Sequence, residues 1–130
     1  MSQKDAEDRF YQAVHAFKDA DEKARKNPFG TGAQKKAFEL VLLDLDAAIP
    51  GLSGRMLGHA YGFKASCYYW MRLGEIGEEA KASPLFDVEA AQKNPTRKAG
   101  LAAAKQARAI LAKVPGENLG WIDDLIEKLG

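Results

Sequence analysis

The stretch Ser53–Leu73, SGRMLGHAYGFKASCYYWMRL, predicts how the chain folds. Small residues recur at every fourth position in it, at Gly54, Gly58, Gly62 and Ser66. Residues four apart lie on one face of an α-helix, and a face without large side chains lets a neighbouring backbone approach closely. Three interior glycines lower helix propensity by about 3 kcal/mol relative to alanine. We therefore predict that close helix packing along this stripe offsets the loss, and a ligand groove opened by the glycines is the alternative.

Large apolar side chains surround almost the whole of the same predicted helix. At 100° per residue they point in nearly every direction, at Leu57, Ala60, Tyr61, Phe63, Cys67, Tyr68, Trp70 and Met71. A helix that is apolar on all sides is normally buried, so we predict that this helix lies at the centre of the fold and ends at Gly74. Tyr68 and Trp70 are the aromatic candidates to line a groove beside it.

Four other segments have the periodicity of amphipathic helices. They extend from Ser2 to Asn27, from Thr31 to Ile49, from Thr96 to Val114 and from Asn118 to Leu129. Each begins with a residue type that caps helix N-termini, and proline with glycine follows the first, second and third. No segment has the pattern of a β-strand.

Residues 75–95 form an acidic connector between the central helix and the helix that follows it. Ser83 followed by Pro84 predicts the start of a short helix there, and its apolar face would carry Leu85, Phe86 and Val88. Together these segments predict an all-α fold, an antiparallel array of about five main helices in a single domain, residues 1–130.

A faint internal repeat links two helix ends. Leu45–Gly51 reads LDAAIPG and Ile110–Gly116 reads ILAKVPG, 65 residues apart, which is about twice the period of a 34-residue helical hairpin repeat. A spaced series of aromatic, small and proline positions accompanies this repeat, at Trp70, Leu73, Gly74, Ala99, Ala103, Ala107 and Pro115. In these features the chain resembles the tetratricopeptide family. The resemblance implies a helical-repeat scaffold that binds peptides or proteins in a groove between its helices.

Composition and charge exclude several classes of protein. The chain has 130 residues, with 19 Lys and Arg against 18 Asp and Glu, so no global field attracts it to nucleic acid or an anionic membrane. Its lone cysteine, Cys67, cannot form an intramolecular disulfide and fits a reducing compartment. Met1–Arg9 lacks the apolar core of a secretory signal, and no stretch approaches the roughly 18 apolar residues of a membrane span. We expect a cytoplasmic protein.

One basic surface stands out on the predicted helix 96–114. Its cationic side chains fall within about 100° on a helical wheel, with one leucine among them: Arg97, Lys98, Leu101, Lys105 and Arg108. Such a stripe suits an acidic peptide, a phosphate backbone or an anionic lipid surface. A plain solvated face is the alternative. Aromatic residues are not interleaved with the bases, which disfavours nucleic acid.

The sequence offers little for catalysis. His15, His59 and Cys67 have no motif context, and we assign no catalytic residue, metal or cofactor. We predict a non-catalytic protein-interaction module, a helical-repeat scaffold or adaptor that binds a peptide or protein partner. If the basic stripe is the binding surface, that partner is acidic. The alternative is a small regulator that contacts nucleic acid through the basic helix 96–114. No oligomeric state is assigned.

Overall fold

Every regular element in the computed structural model, which describes residues 2–82 and 87–130, is helical. The α-helices are α1 (Gln3–Lys26), α2 (Lys35–Ala48), α3 (Gly54–Ala82), α4 (Val88–Gln92), α5 (Pro95–Leu111) and α6 (Gly120–Leu129), and 3-10 turns cover Pro28–Gln34 and Ile49–Gly51. The all-α prediction is confirmed, with five main helices and one short one in the described ranges. None of these helices combines the length and the apolar character needed to cross a lipid bilayer.

Successive long helices reverse direction. Arg9, early in α1, pairs with Asp44 late in α2, whereas the Phe17 ring, later in α1, faces Phe38 near the start of α2. These two helices are therefore antiparallel. After the turn at Ile49–Gly51 the chain enters α3, which runs in the direction of α1.

Helices α5 and α6 continue the alternation on the other side of α3. Thr96, at the start of α5, donates a hydrogen bond to Glu75 late in α3, and Leu111, at the end of α5, lies over Gly58 early in α3. Arg108 of α5 then pairs with Asp123 near the start of α6. The consequence is that α1, α3 and α6 run in one direction, while α2 and α5 run in the other.

The buried side chains join these helices around α3, as predicted for a helix that is apolar on all sides. One cluster of core residues connects α1, α2 and α3 and includes the fully buried Phe38 and Leu45. Two smaller clusters join α5 and α6 to α3. Helix α5 packs through a face of small residues, since Gly100, Ala103 and Ala107 all lie in the interior.

The central helix is longer than predicted. Gly74 does not end it, because α3 continues to Ala82. Gly74 is buried instead against the 3-10 segment that follows α1, where a Cβ atom on it would lie 2.6 Å from the Gly32 nitrogen. Glycine serves here for close approach and not for termination.

The connector 75–95 differs from its prediction accordingly. Its first part belongs to α3, and α4 is the short helix within it. The predicted helix start at Ser83 and Pro84, with Leu85 and Phe86, lies outside the described residues. Val88 begins α4 and is 60% exposed, so it does not form a buried face.

Two predicted caps have other roles. Thr31 does not open α2, which begins at Lys35; it is 1% exposed and its hydroxyl donates to the Trp70 carbonyl oxygen over 2.6 Å. At α5 the cap is Asn94 and not Thr96, because the Asn94 side chain accepts a hydrogen bond from the Arg97 backbone N–H. Helical periodicity located both helices, but tertiary contacts determined where they start.

Candidate functional site

The small-residue stripe of α3 meets different neighbours along its length. A Cβ atom on Gly58 would lie 2.5 Å from Leu111 Cδ2 of α5, and one on Gly62 would overlap the Trp121 ring of α6. Both glycines therefore make room for large side chains of a neighbouring helix, whereas the prediction was a close approach of its backbone. The prediction is wrong for Gly54, the first residue of α3, which is exposed. A Cβ atom on Gly54 would have no neighbouring atom within 4 Å. Its φ of +56° explains the glycine, since L side chains rarely adopt it.

Ser66, the last residue of the stripe, is half-buried and lies in the floor of a cleft of about 300 Å³. Helix α3 forms the floor, and α1 and α6 form the two walls. Five aromatic rings line this cleft: Phe17, Phe63, Tyr69, Trp70 and Trp121. We call it the aromatic cleft.

The two aromatic residues predicted to line a groove lie in different places. Trp70 lies in the aromatic cleft, whereas Tyr68 is placed on the opposite side of α3, where a Cβ atom on Gly100 of α5 would come within 2.9 Å of Tyr68 Cβ. Tyr69 takes the predicted place of Tyr68. Consecutive residues of a helix point about 100° apart, so Tyr68 and Tyr69 cannot both face the cleft in the same way. Which of the two faces it depends on where α5 and α6 pack against α3.

Polar groups on the α1 wall are held by a chain of hydrogen bonds. Asp21 Oδ1 accepts from Trp70 Nε1 at 2.9 Å, and Asp21 Oδ2 accepts from Arg25 Nε at 2.8 Å. The Arg25 guanidinium carbon is 6.0 Å from the centre of the Trp70 ring, within the range of cation–π attraction. The Asp21 side chain is only 20% exposed and Arg25 is 71% exposed, so a fixed carboxylate orients an accessible cation.

The α6 wall repeats this combination. Lys128 Nζ lies 2.8 Å from Asp124 Oδ2 and 5.3 Å from the centre of the Tyr69 ring. The hydrogen bond to Asp124 holds the pKa of Lys128 above its ordinary value, and the positive charge of Arg25 acts in the opposite direction. The two walls therefore each place one cation at the same cleft, above an aromatic floor.

A second cleft adjoins the first. It has a volume of about 570 Å³ and extends towards the N-terminal ends of α1 and α3, with Phe10, Tyr11 and Met56 among its lining residues. Phe63 lines both clefts. Tyr11 is 53% exposed although it is a large aromatic residue. We call the two clefts together the groove.

The loop between α5 and α6 is tied to α3 beside the groove. Glu117 accepts hydrogen bonds from Arg55 Nε at 2.8 Å and pairs with His59 Nε2 at 2.5 Å. The bonds from Arg55 and then from His59 hold the pKa of Glu117 below its ordinary value. The His59 ring lies 5.6 Å from the Trp121 ring, so this ion pair anchors the end of α6 that carries an aromatic wall residue.

The basic stripe of α5 is divided by its contacts with α6. Arg108 pairs with Asp123 at 2.7 Å, and Arg97 donates to the backbone oxygens of Gln92 and Gly130. Lys98 and Lys105 are exposed, while Leu101, the apolar centre of the stripe, is half-buried. Two of the four cations are thus engaged by groups of the protein itself, and the four do not form a continuous free surface.

The residues considered for catalysis do not come together. Cys67 is fully buried, and burial raises the pKa of its thiol, to which the negative charge of Asp21 adds. His59 is bound to Glu117, and His15 lies exposed on α1. Within residues 2–82 and 87–130, no group of three His, Cys, Asp or Glu side chains is placed to share a metal ion.

Sequence reasoning did not identify Arg25, Lys128 or Trp121 as site residues. Their only local signal was a position on an amphipathic helix, and each lies far along the chain from the Tyr69–Trp70 pair that it accompanies. The site depends on helix packing that no motif encodes. Comparison with protein-family models, curated proteins and solved structures finds no match for this chain.

Proposed function

We propose that this protein is a non-catalytic interaction module that binds a peptide segment of a protein partner in the groove. The observation that carries the proposal is the aromatic cleft itself. Three parallel helices, α1, α3 and α6, surround it, and no described element covers it. A concave apolar site with a few placed polar groups is the usual form of a binding site.

The aromatic lining supports a peptide in particular. Large aromatic side chains in a groove supply most of the binding energy in many protein interfaces, because they exclude water from the anchors of the partner. The two clefts share Phe63, so an extended or helical segment could place one side chain in each. Recognition of segments in grooves between helices follows this pattern.

The order of the helices supports the helical-repeat part of the proposal. The similar sequences Leu45–Gly51 and Ile110–Gly116 include the ends of α2 and α5, the two antiparallel helices. Each leads into a helix that lines the groove, α3 in one case and α6 in the other. We therefore propose a tetratricopeptide-like scaffold of successive hairpins, which present their alternate helices to the peptide.

The remaining features fit a non-catalytic role better than the nucleic-acid alternative. Contact with α6 leaves only Lys98 and Lys105 as free cations of the α5 stripe among the described residues. A contact surface for a phosphate backbone normally carries more. The buried Cys67 supports a cytoplasmic location, where an unpaired thiol stays reduced.

Selection of a random peptide library on the purified protein tests the proposed function. We expect enriched peptides to bind the wild type and to bind Ser66→Tyr at least about tenfold more weakly, because the added ring occupies the cleft floor. Lys98→Gln/Lys105→Gln should bind like the wild type. Thermal unfolding of each variant verifies the fold, and Ser66→Leu replaces Ser66→Tyr if the tyrosine prevents folding.

Two results would contradict the proposal. One is a lack of enrichment above that on an unrelated helical protein. The other is enriched peptides that bind the wild type and both Ser66 variants equally, since the groove would then play no part.

A further inference from the structure

We propose that the aromatic cleft binds an acidic side chain of the peptide between Arg25 and Lys128, with an adjacent aromatic or leucine side chain against the ring floor. This inference rests on the proposed function and specifies the chemistry of the partner. It places acid recognition on α1 and α6 and not on the basic stripe of α5.

The hydrogen bonds of the α1 wall leave donors unused. Both oxygens of Asp21 are engaged, because one accepts from Trp70 and the other from Arg25. Arg25 uses only Nε in that bond, and its two Nη atoms have no hydrogen-bond partner among the described residues. A guanidinium offers five N–H donors, so the exposed edge of Arg25 is available to an acceptor from outside.

The α6 wall also has unused donors. Lys128 has three N–H donors, of which Asp124 engages one. Asp124 Oδ1 is the one carboxylate oxygen of the two walls without a partner in the described chain, and it lies on a side chain that is 56% exposed. Arg25 and Lys128 therefore both keep N–H donors that no described residue engages, and these donors suit a ligand that accepts hydrogen bonds.

The position of the two cations favours a negative charge between them. Both line a cleft of about 300 Å³ from opposite walls, and the charge of Arg25 acts to lower the pKa of Lys128, although the hydrogen bond to Asp124 keeps that pKa raised. A carboxylate placed between them would attract both cations and accept charge-assisted hydrogen bonds from them. It would not have to displace Arg25 or Lys128 from the carboxylates that orient them.

The aromatic floor of the cleft determines which side chain the peptide must carry beside its acidic residue. Tyr69 and Trp121 are partly exposed rings beside Lys128 and Ser66, and an isolated carboxylate would leave them uncovered. An adjacent aromatic or leucine side chain would bury them, and apolar burial supplies affinity that a solvated ion pair alone does not. A segment that combines an acidic with a large apolar residue satisfies both parts of the cleft.

The peptides selected on the wild type provide the test. We expect Asp or Glu next to an aromatic residue or leucine in the enriched sequences. A synthetic peptide of the consensus should bind Arg25→Gln/Lys128→Gln at least about tenfold more weakly by calorimetry. Lys98→Gln/Lys105→Gln removes the same charge from exposed α5 and should leave the affinity unchanged. Arg25→Lys, which keeps a cation on α1, should retain part of it.

Charge reversal distinguishes recognition from a structural effect. Arg25→Glu/Lys128→Glu should select peptides with Lys or Arg at the position of the acid, whereas a variant that only loosens the cleft would select none. Groove-dependent peptides that are neutral or basic on the wild type would overturn the acidic inference and leave the proposed function intact. Failure to enrich any peptide would overturn both.

Discussion

Small residues decide the tightest contacts of this protein. Gly58, Gly62 and Gly74 all lie on α3, yet each admits a different neighbour: Leu111 of α5, Trp121 of α6 and the 3-10 segment after α1. Each glycine lowers helix propensity by about 1 kcal/mol relative to alanine. The helix tolerates them because packing of its neighbours depends on the missing side chains.

Replacement of Gly58 by leucine should destabilise the protein by about 1–3 kcal/mol, the usual range for an overpacked core. The new side chain would collide with Leu111, which is fully buried and has no space to move into. Ala102→Leu on the exposed face of α5 is the matched control and should change stability by less than about 0.5 kcal/mol. Equal melting temperatures for the two variants would contradict the close contact.

Replacement of Thr31 by valine should cost about 1 kcal/mol of unfolding free energy. The hydroxyl of Thr31 donates to the Trp70 carbonyl and is 1% exposed, and valine keeps the shape but not the donor. Thr31→Ser, which keeps the hydroxyl, should retain the hydrogen bond. Chemical denaturation measures the difference, and a valine variant as stable as the wild type would show that the bond contributes nothing.

At the scale of elements, the connections between helices decide how the groove is built. The 3-10 segment Pro28–Gln34 packs against α3 and also contacts α1. The loop after α5 is held by Glu117, which binds Arg55 and His59 of α3. This loop leads into α6 and so positions the wall that carries Trp121.

Glu117→Gln should lower the melting temperature at neutral pH. The pKa of Glu117 is lowered in the folded protein by Arg55 and then His59, so its ionised form stabilises the fold above the unfolded pKa of about 4.3. That contribution is lost as the pH falls through the lowered folded pKa. The wild type and the variant should therefore converge in acid, when melting temperatures are compared over a pH series.

Glu127→Gln, which neutralises an exposed carboxylate of α6, controls for the change in net charge. It should have little effect across the same pH range. A constant difference between Glu117→Gln and the wild type from neutral to acidic pH would show that the ion pair does not anchor the loop.

At the scale of the whole molecule, α3 is the helix that connects the other long helices. It contacts α1 and α2 on one side and α5 and α6 on the other. Cys67 lies on this helix and is fully buried, so any reaction of its thiol reports an opening of the core.

A thiol reagent should label Cys67 at least about a hundredfold more slowly in native buffer than in denaturant. The raised pKa that burial imposes and the absence of solvent contact both suppress the thiolate, and reaction requires structural opening. Gly58→Leu should label faster than the wild type, because its core opens more often. Rapid labelling of one thiol in the native wild type would show that this face of α3 is accessible.

The amino-acid sequence by itself determined the local properties of the chain. Helical periodicity located the five main helices, the apolar surround of residues 57–71 identified the central one, and proline with glycine marked the turn at Ile49–Gly51. These features depend on residues a few positions apart, and a sequence displays them directly.

Only the tertiary structure decided the groove. Asp21, Trp70 and Lys128 come from helices far apart in the chain, and their contacts depend on the relative placement of α1, α3 and α6. The same physical reason explains why Gly74 is a packing contact and why Tyr69, not Tyr68, lines the cleft. It also explains why Arg97 and Arg108 of α5 bind groups at the two ends of α6. A helical wheel shows which residues share a face, but the neighbouring helix determines what that face does.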